Sequence, residues 1–267
     1  MNCGKLALVM RTSFLFLLSF CTTLALAEKS APLSKEQLAE ISARGRLLAE
    51  YDQAASRATD AVMASNPKHD SSSRFLCRKV DASWTCVFGH LTPEKFLIDY
   101  EAVQGASPQE FQVRPHQSAI EDKGYFFAGA KALMTAGADF QKTAQNRPYD
   151  PSVLPGPSDQ FYVYFVPART KKGVYPLGGD ARYLVSADGN TIVEKRQLHK
   201  SILETNSQAP AGTKIAAGVH NHVLSNVPED TDVFFVLTRK PLMPEYVGTS
   251  DKHVYEVETD GTIKRSK

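Results

Sequence analysis

The fold is decided by the stretch Arg74-Phe75-Leu76-Cys77-Arg78-Lys79-Val80-Asp81-Ala82-Ser83-Trp84-Thr85-Cys86-Val87-Phe88, in which two apolar runs flank a polar turn. Folding the stretch about the turn at residues 80–83 sets Cys77 opposite Cys86, Leu76 opposite Val87 and Phe75 opposite Phe88. Directly opposed residues of an antiparallel pair have Cβ atoms close to the distance that a disulfide requires. The stretch therefore predicts a β-hairpin with a Cys77–Cys86 disulfide.

The first 27 residues have the features of a secretory signal peptide. Lys5 and Arg11 precede an apolar run, and Ala25-Leu26-Ala27 is the small-x-small end that signal peptidases cut. The alternative is an uncleaved signal anchor, but a membrane-spanning helix needs about 20 mostly apolar residues. We therefore expect a periplasmic or secreted protein without a transmembrane anchor after cleavage. Such compartments are oxidising, which favours the predicted disulfide.

The charge balance limits the choice of partners. Removal of the leader takes away Lys5 and Arg11 and leaves 29 basic residues against 29 acidic ones. Nucleic acid and anionic membrane surfaces both need clustered positive charge in the protein that binds them. We therefore expect no nucleic-acid partner.

The periodicity of apolar residues predicts an α+β fold with mainly antiparallel sheets. A long N-terminal helix is predicted over 34–64, where Ser34 and Gln37 form a capping-box pattern, and a second packed helix over 124–143. The other segments are predicted as strands at 95–104, 110–114, 160–166, 214–224 and 232–238, as hairpins at 182–195 and 254–264, and as a short helix at 197–204.

Composition along the chain predicts five segments. They are a signal peptide (1–27), an N-terminal helix (28–66), a disulfide-hairpin α+β region (67–146), a Pro-rich linker (147–159) and a β-rich C-terminal region (160–267). The linker is predicted because four prolines between Asn146 and Asp159 disfavour regular structure. Whether it separates two domains stays open.

Metal-ligand spacing occurs in Val219-His220-Asn221-His222-Val223. Two histidines at i and i+2 of a strand point to one face, and Asp232 supplies a carboxylate shortly afterwards. The candidate metal ligands are therefore His220, His222 and Asp232, with zinc as the cofactor that they would bind. The alternative is an ordinary half-exposed strand without any cofactor, in which Val219 and Val223 point inward.

The segment from His220 to Asp232 resembles the JAB/MPN metallopeptidase motif, in which His-x-His is followed by Ser-x-x-Asp. The resemblance implies a metal-dependent hydrolase that uses His220, His222 and Asp232. The chain departs from the motif in three respects. Glu229 stands in place of the serine, a strand rather than a helix is predicted after Asp232, and no preceding segment looks like the glutamate-bearing helix and strand of that family.

Other catalytic motifs are missing from the sequence. It contains no Gly-x-Ser-x-Gly, no His-Glu-x-x-His, no P-loop and no dinucleotide fingerprint. We therefore predict an exported, non-catalytic binding module of the envelope or periplasm, with an unidentified ligand or protein partner. One alternative is the metal-dependent hydrolase. The other is a structural protein that assembles through its N-terminal helix.

Overall fold

The computed structural model describes residues 32–66, 73–206 and 214–266. The predicted signal peptide lies outside these residues. Within them, no helix is both long and apolar enough to span a bilayer. The described residues from Pro32 onwards form one compact unit.

The described residues form three α-helices and fourteen strands. The helices are α1 (Lys35–Ala64), α2 (Tyr125–Phe140) and α3 (Asp230–Thr238). The strands are β1 (Arg74–Val80), β2 (Ser83–Leu91), β3 (Phe96–Gln104), β4 (Phe111–Asp122), β5 (Tyr149–Pro155), β6 (Phe161–Pro167), β7 (Val174–Gly178), β8 (Ala181–Val185), β9 (Ile192–Gln197), β10 (Ile202–Asn206), β11 (Gly218–Asn221), β12 (Glu245–Gly248), β13 (Val254–Val257) and β14 (Ile263–Arg265).

The strands form four sheets, with the orders β1-β2-β3-β4, β5-β6-β8-β9, β7-β10 and β11-β12-β13-β14. All neighbouring strands are antiparallel except β11 and β12, which are parallel. The predicted α+β class, with mainly antiparallel sheets and a long N-terminal helix, is confirmed.

The hairpin of β1 and β2 has the register expected from the sequence. Leu76 lies opposite Val87, and Cys77 lies opposite Cys86 with their sulfur atoms 2.01 Å apart. The connecting turn is tight because Asp81 adopts a φ of 55°, a left-handed conformation that aspartate tolerates better than most residues. The disulfide therefore joins two directly paired positions of the first sheet.

Helix α1 begins at the predicted capping box. The Ser34 hydroxyl accepts a hydrogen bond from the Gln37 backbone N–H, and the Gln37 side chain accepts one from the Ser34 backbone N–H. The buried face of the helix, which includes Leu48 and Ala58, packs on the first sheet and on residues of β5 and β6.

A close approach between α1 and α3 requires Gly45. A Cβ atom on Gly45 would lie 2.4 Å from the Cβ of Val233 and 2.5 Å from the carbonyl oxygen of Asp230. Real Cβ atoms do not reach such distances, so one of the helices would have to move. Glycine therefore lets α1 sit directly against the first turn of α3, despite the cost of glycine inside a helix.

The prediction that the Pro-rich linker at 147–159 is irregular is wrong, because Tyr149–Pro155 forms β5. This strand lies at the edge of its sheet, next to β6. An edge strand tolerates prolines because the N–H groups on its outer side need no partner strand. The two prolines inside β5, Pro151 and Pro155, therefore do not interrupt the sheet.

Two other predictions near the C-terminal half are wrong. The strand predicted at 232–238 is helix α3, which begins with a capping box between Glu229 and Asp232. A short apolar run such as 233–237 does not distinguish helix from strand by periodicity, so the cap decides. The short helix predicted at 197–204 is a loop that leads into β10, which pairs with β7.

Candidate metal centre

Four side chains with metal-binding atoms meet inside the protein: His199, His220, His222 and Asp232. His199 follows β9, His220 lies in β11, His222 comes directly after β11, and Asp232 lies in the first turn of α3. The structure thus brings together the three residues predicted from sequence and adds His199. All four residues are buried, with exposed fractions of 8% or less.

The four ligand atoms lie within 4.8 Å of one another. The Nε2 atom of His222 lies 2.8 Å from Nε2 of His199 and 3.2 Å from Nε2 of His220. The carboxylate oxygens of Asp232 lie 3.1–3.2 Å from the three Nε2 atoms. Ligands about 2.0–2.1 Å from a tetrahedral zinc ion are about 3.3 Å from one another. One cation would therefore fit among these atoms with small adjustments.

The outer nitrogen of each imidazole is held by an oxygen acceptor. His199 donates from Nδ1–H to Asp180 Oδ1 at 2.8 Å, and His220 donates from Nδ1–H to Glu245 Oε1 at 2.9 Å. His222 donates from Nδ1–H to the carbonyl oxygen of Val227 at 2.8 Å. In a neutral imidazole whose Nδ1 carries the hydrogen, Nε2 presents a lone pair. These outer contacts therefore fix the tautomer and turn three lone pairs toward one point, as in known metal sites.

A sharp corner before β8 positions Asp180 under His199. Gly178 and Gly179 have φ values of 87° and 68°, and a Cβ on Gly178 would lie 2.3 Å from the carbonyl oxygen of Ser201. Asp180 Oδ1 also accepts a hydrogen bond from the backbone N–H of His199 at 3.1 Å. Both the main chain and the ring of His199 are therefore fixed by one carboxylate.

The N-terminus of α3 positions Asp232. Its Oδ2 atom accepts a hydrogen bond of 2.7 Å from the backbone N–H of Glu229, the residue that caps the helix. Negative charge is stabilised at a helix N-terminus by the helix dipole. The helix therefore holds the Asp232 carboxylate in place against the three imidazoles.

Burial and charge act in opposite directions on the titration of the group. Burial alone would lower the pKa of His199, but the charges of Asp180 and Asp232 outweigh it and raise that pKa well above its usual range. Burial likewise opposes the hydrogen bonds to Asp232 and Glu245 that raise the pKa of His220 to about 9. Burial would raise the pKa of Asp232, but the charges of His199 and His222 hold it well below its usual value. The centre is thus built to hold positive charge.

Glu245 is fixed by a buried arginine at the end of α3. Arg239 donates from Nη1 to Glu245 Oε2 at 2.6 Å and from Nη2 to the carbonyl oxygen of Met243 at 2.7 Å. Because the other oxygen of Glu245 accepts from His220, the arginine indirectly orients that imidazole.

Asp230, the first residue of α3, joins this helix to the rest of the protein. It is fully buried and accepts hydrogen bonds from Arg44 of α1 at 3.1 Å, Tyr164 of β6 at 2.7 Å and Arg182 of β8 at 2.5 Å. These three side chains and Asp230 are called the Asp230 brace below. The brace fixes the first turn of α3, and Asp232 lies in that turn.

The segment that carries His220 and His222 buries its histidines and exposes its valines, which is the opposite of the alternative interpretation. Val219 and Val223, which that interpretation turns inward, are 72% and 69% exposed, whereas His220 and His222 are 5% and 4% exposed. Burying imidazoles while exposing valines is unfavourable unless the imidazoles are well satisfied inside. The inward valines are therefore a wrong expectation, and the buried imidazoles need partners inside the protein.

Sequence reasoning missed His199 and the two carboxylates behind the histidines. His199 stands alone in Gln197-Leu198-His199-Lys200, without a second ligand at i+2 or i+4. Asp180 and Glu245 reach their histidines only through the pairing of β8 with β9 and of β11 with β12. No local spacing signal could have identified them.

No protein-family model matches this chain, and comparisons with curated proteins and with solved structures likewise gave no match.

Proposed function

We propose that this protein is an exported zinc-binding module whose metal is held by His199, His220, His222 and Asp232. The observation that carries the proposal is the convergence of three imidazole Nε2 atoms and a carboxylate, whose ligand atoms all lie within 4.8 Å of one another and in five of the six pairs approach to 2.8–3.2 Å. Without a cation or added protons, three lone pairs and a negative charge would repel one another in a buried space.

Zinc is the ion that suits this donor set. Imidazole and carboxylate ligands in a tetrahedral arrangement are typical of zinc, and structural zinc sites use four protein ligands. The outer contacts to Asp180 and Glu245 match the carboxylate–histidine–metal pattern that orients such ligands. We therefore assign the metal a structural role, joining the end of β9, β11 and α3.

A metal-dependent hydrolase that uses His220, His222 and Asp232 would need an open coordination position on its zinc ion. A hydrolytic zinc site keeps one coordination position for water, and here His199 occupies the fourth position. The helix after Asp232 agrees with the JAB/MPN resemblance better than the strand expected from sequence. Hydrolysis would still require His199 to leave the metal, so we favour the binding module.

Two further features support an exported module that does not assemble through α1. The bonded pair Cys77–Cys86 suits an oxidising compartment such as the periplasm or the medium. The apolar face of α1 packs inside the protein, on the first sheet and on residues of β5 and β6. Within residues 35–64, that face is therefore not available to a partner helix.

The proposal is tested by metal analysis of the purified protein. Wild-type protein is expected to retain stoichiometric zinc after dialysis, and the double variant His220→Ala/His222→Ala is expected to lose it. Removing two of four ligands leaves too few donors to hold the ion against water. Zinc content is measured by inductively coupled plasma mass spectrometry on protein of known concentration.

The matched control is His90→Ala/His116→Ala. These histidines lie on β2 and β4, where each contacts a partly exposed carboxylate, Asp99 or Glu101. The control variant is expected to keep its zinc. Zinc that persists in the His220→Ala/His222→Ala protein, or a wild type that binds none, would contradict the proposal.

Zinc binding is expected to release protons. Because the metal-free pKa of His220 is about 9 and that of His199 is raised well above its usual range, both rings carry extra protons at neutral pH. Zinc must displace them, so about one to two protons should leave per ion at pH 7, and affinity should fall as the pH falls. Isothermal titration in buffers of different ionisation enthalpy measures this release. Binding at pH 7 without proton release would contradict this prediction, because it would show that both rings are already neutral in the metal-free protein.

A further inference from the structure

A cleft of about 630 Å³ lies between α2, the hairpin of β1 and β2, and the end of β5. None of its lining residues belongs to the candidate metal centre. Its volume falls within the range of about 300–1,000 Å³ that is typical of small-molecule sites. Aromatic side chains form much of the apolar lining: Trp84, Tyr125, Phe127 and Phe161.

Basic side chains outnumber acidic ones around the cleft. The basic residues are Arg78, Lys79, Lys123 and Lys131, and the acidic residues are Asp159 and Asp188. Lys79 is neutralised by an ion pair with Glu50 at 2.5 Å. In the described parts of the chain, the other three cations have no carboxylate within ion-pair distance. The cleft is therefore positive.

The carboxylate of Asp188 is hydrogen-bonded within its own turn. Its carboxylate accepts hydrogen bonds from the Ser186 hydroxyl at 2.5 Å and from the Asn190 side chain at 2.7 Å. Hydrogen bonds from Ser186 and Asn190 lower the pKa of Asp188 to about 2. This carboxylate is therefore an ionised part of the β8–β9 turn, and the charge of Lys131 helps to keep it ionised.

Two of the cations stack on aromatic rings of the cleft. The guanidinium carbon of Arg78 lies 4.5 Å from the ring centroid of Tyr125, and Nζ of Lys131 lies 5.1 Å from the ring centroid of Phe127. Each pair places a charged group beside an apolar ring. This combination suits a ligand that has an apolar body and an anionic group.

We propose that this cleft binds an organic anion with an apolar body, meaning a ring or short alkyl chain that bears a carboxylate, sulfonate or phosphate group. The cations at its mouth attract the anionic group, and the aromatic lining buries the apolar part. The inference goes beyond the proposed zinc binding and does not depend on it, since the cleft shares no residue with the metal centre. Metal content and ligand binding are separate readouts, so failure of one is distinguishable from failure of the other.

The position of Trp84 allows a direct test, because it is the only tryptophan of the chain and lines the cleft. The probe is anilinonaphthalene sulfonate, an aromatic anion, titrated into the purified zinc-loaded protein. We expect saturable binding with one site per chain, accompanied by a change in Trp84 emission over the same concentration range. Octanoate is expected to displace the probe at concentrations at which octylammonium does not.

The charge requirement is tested with matched lysine variants. Lys123→Gln/Lys131→Gln is expected to weaken binding of the probe about tenfold, since two charge-assisted contacts are lost. The control Lys142→Gln/Lys200→Gln removes the same charge from exposed positions outside the cleft and should bind like the wild type. Thermal unfolding of all variants verifies that they are folded.

Four results would overturn the inference. They are an unchanged Trp84 emission on binding, equal weakening by the two lysine double variants, displacement by octylammonium as effective as by octanoate, and displacement by inorganic phosphate as effective as by octanoate. The last result would indicate a site for anions without an apolar requirement.

Discussion

Removal of zinc is expected to lower the midpoint of thermal unfolding by about 8–16 °C. An ion present at 1,000 times its dissociation constant stabilises the folded state by about 4 kcal/mol, and each kcal/mol shifts the midpoint by about 2–4 °C in a domain of this size. The effect is large because the four ligands come from three separate parts of the chain, at His199, at His220 and His222, and at Asp232. Without zinc, protonated imidazoles face one another in a buried space.

Scanning calorimetry of zinc-loaded and chelator-treated protein measures this shift. The double variant His220→Ala/His222→Ala should unfold at the same temperature with and without added zinc, whereas His90→Ala/His116→Ala should retain the full zinc-dependent shift. A wild-type midpoint that does not respond to chelation and re-addition of zinc would refute a structural role for the metal.

Asp230→Asn is expected to lower the free energy of unfolding by about 3–5 kcal/mol, because it leaves buried charge without its partner. Asp230 is fully buried, and its carboxylate accepts from two guanidinium groups and a tyrosine hydroxyl. The side chain of Arg182 is only 8% exposed, so water cannot replace the lost carboxylate. Asparagine has nearly the same shape, but it removes the charge and replaces one accepting oxygen by a donating NH2 group. Urea denaturation at neutral pH measures the loss.

The exposed pair of His90 and Asp99 provides the control for Asp230→Asn. Asp99→Asn removes a carboxylate that is 40% exposed and should cost less than about 1 kcal/mol. A double-mutant cycle of Asp230→Asn with Arg182→Met should show coupling, with a combined loss smaller than the sum of the single losses. Equal losses for Asp230→Asn and Asp99→Asn would mean that the Asp230 brace contributes little.

Local signals in the sequence were sufficient for several elements. The capping residues Ser34 and Gln37 marked the start of α1, and the turn between Val80 and Ser83 fixed the register that pairs Cys77 with Cys86. Each of these features depends on residues that are close in sequence. Their physical causes, an N-cap hydrogen bond and a two-residue turn, act over a few residues.

The candidate site was predictable only where its residues are close in sequence. His220 and His222 share a face of one strand, and Asp232 follows within a short loop, so spacing was informative. His199 and Asp180 reach the centre through the pairing of β8 with β9, and Glu245 reaches it through the parallel pairing of β11 with β12. Parallel pairing and sheet order are set by packing across the whole chain, which no local pattern reveals. The incorrect strand at 232–238 has a different, local cause, since the capping box between Glu229 and Asp232 starts a helix there.

The contact of Gly45 with α3 joins segments from opposite ends of the chain. It allows α1 to lie against α3, where Arg44 also bonds to Asp230. A polypeptide that crosses a membrane unfolded, N-terminus first, delivers Arg44 early and Asp232 near the end of translocation. The zinc ligands can then meet only after almost the entire chain has emerged. If the protein is exported in this way and binds zinc as proposed, it acquires the metal in the destination compartment.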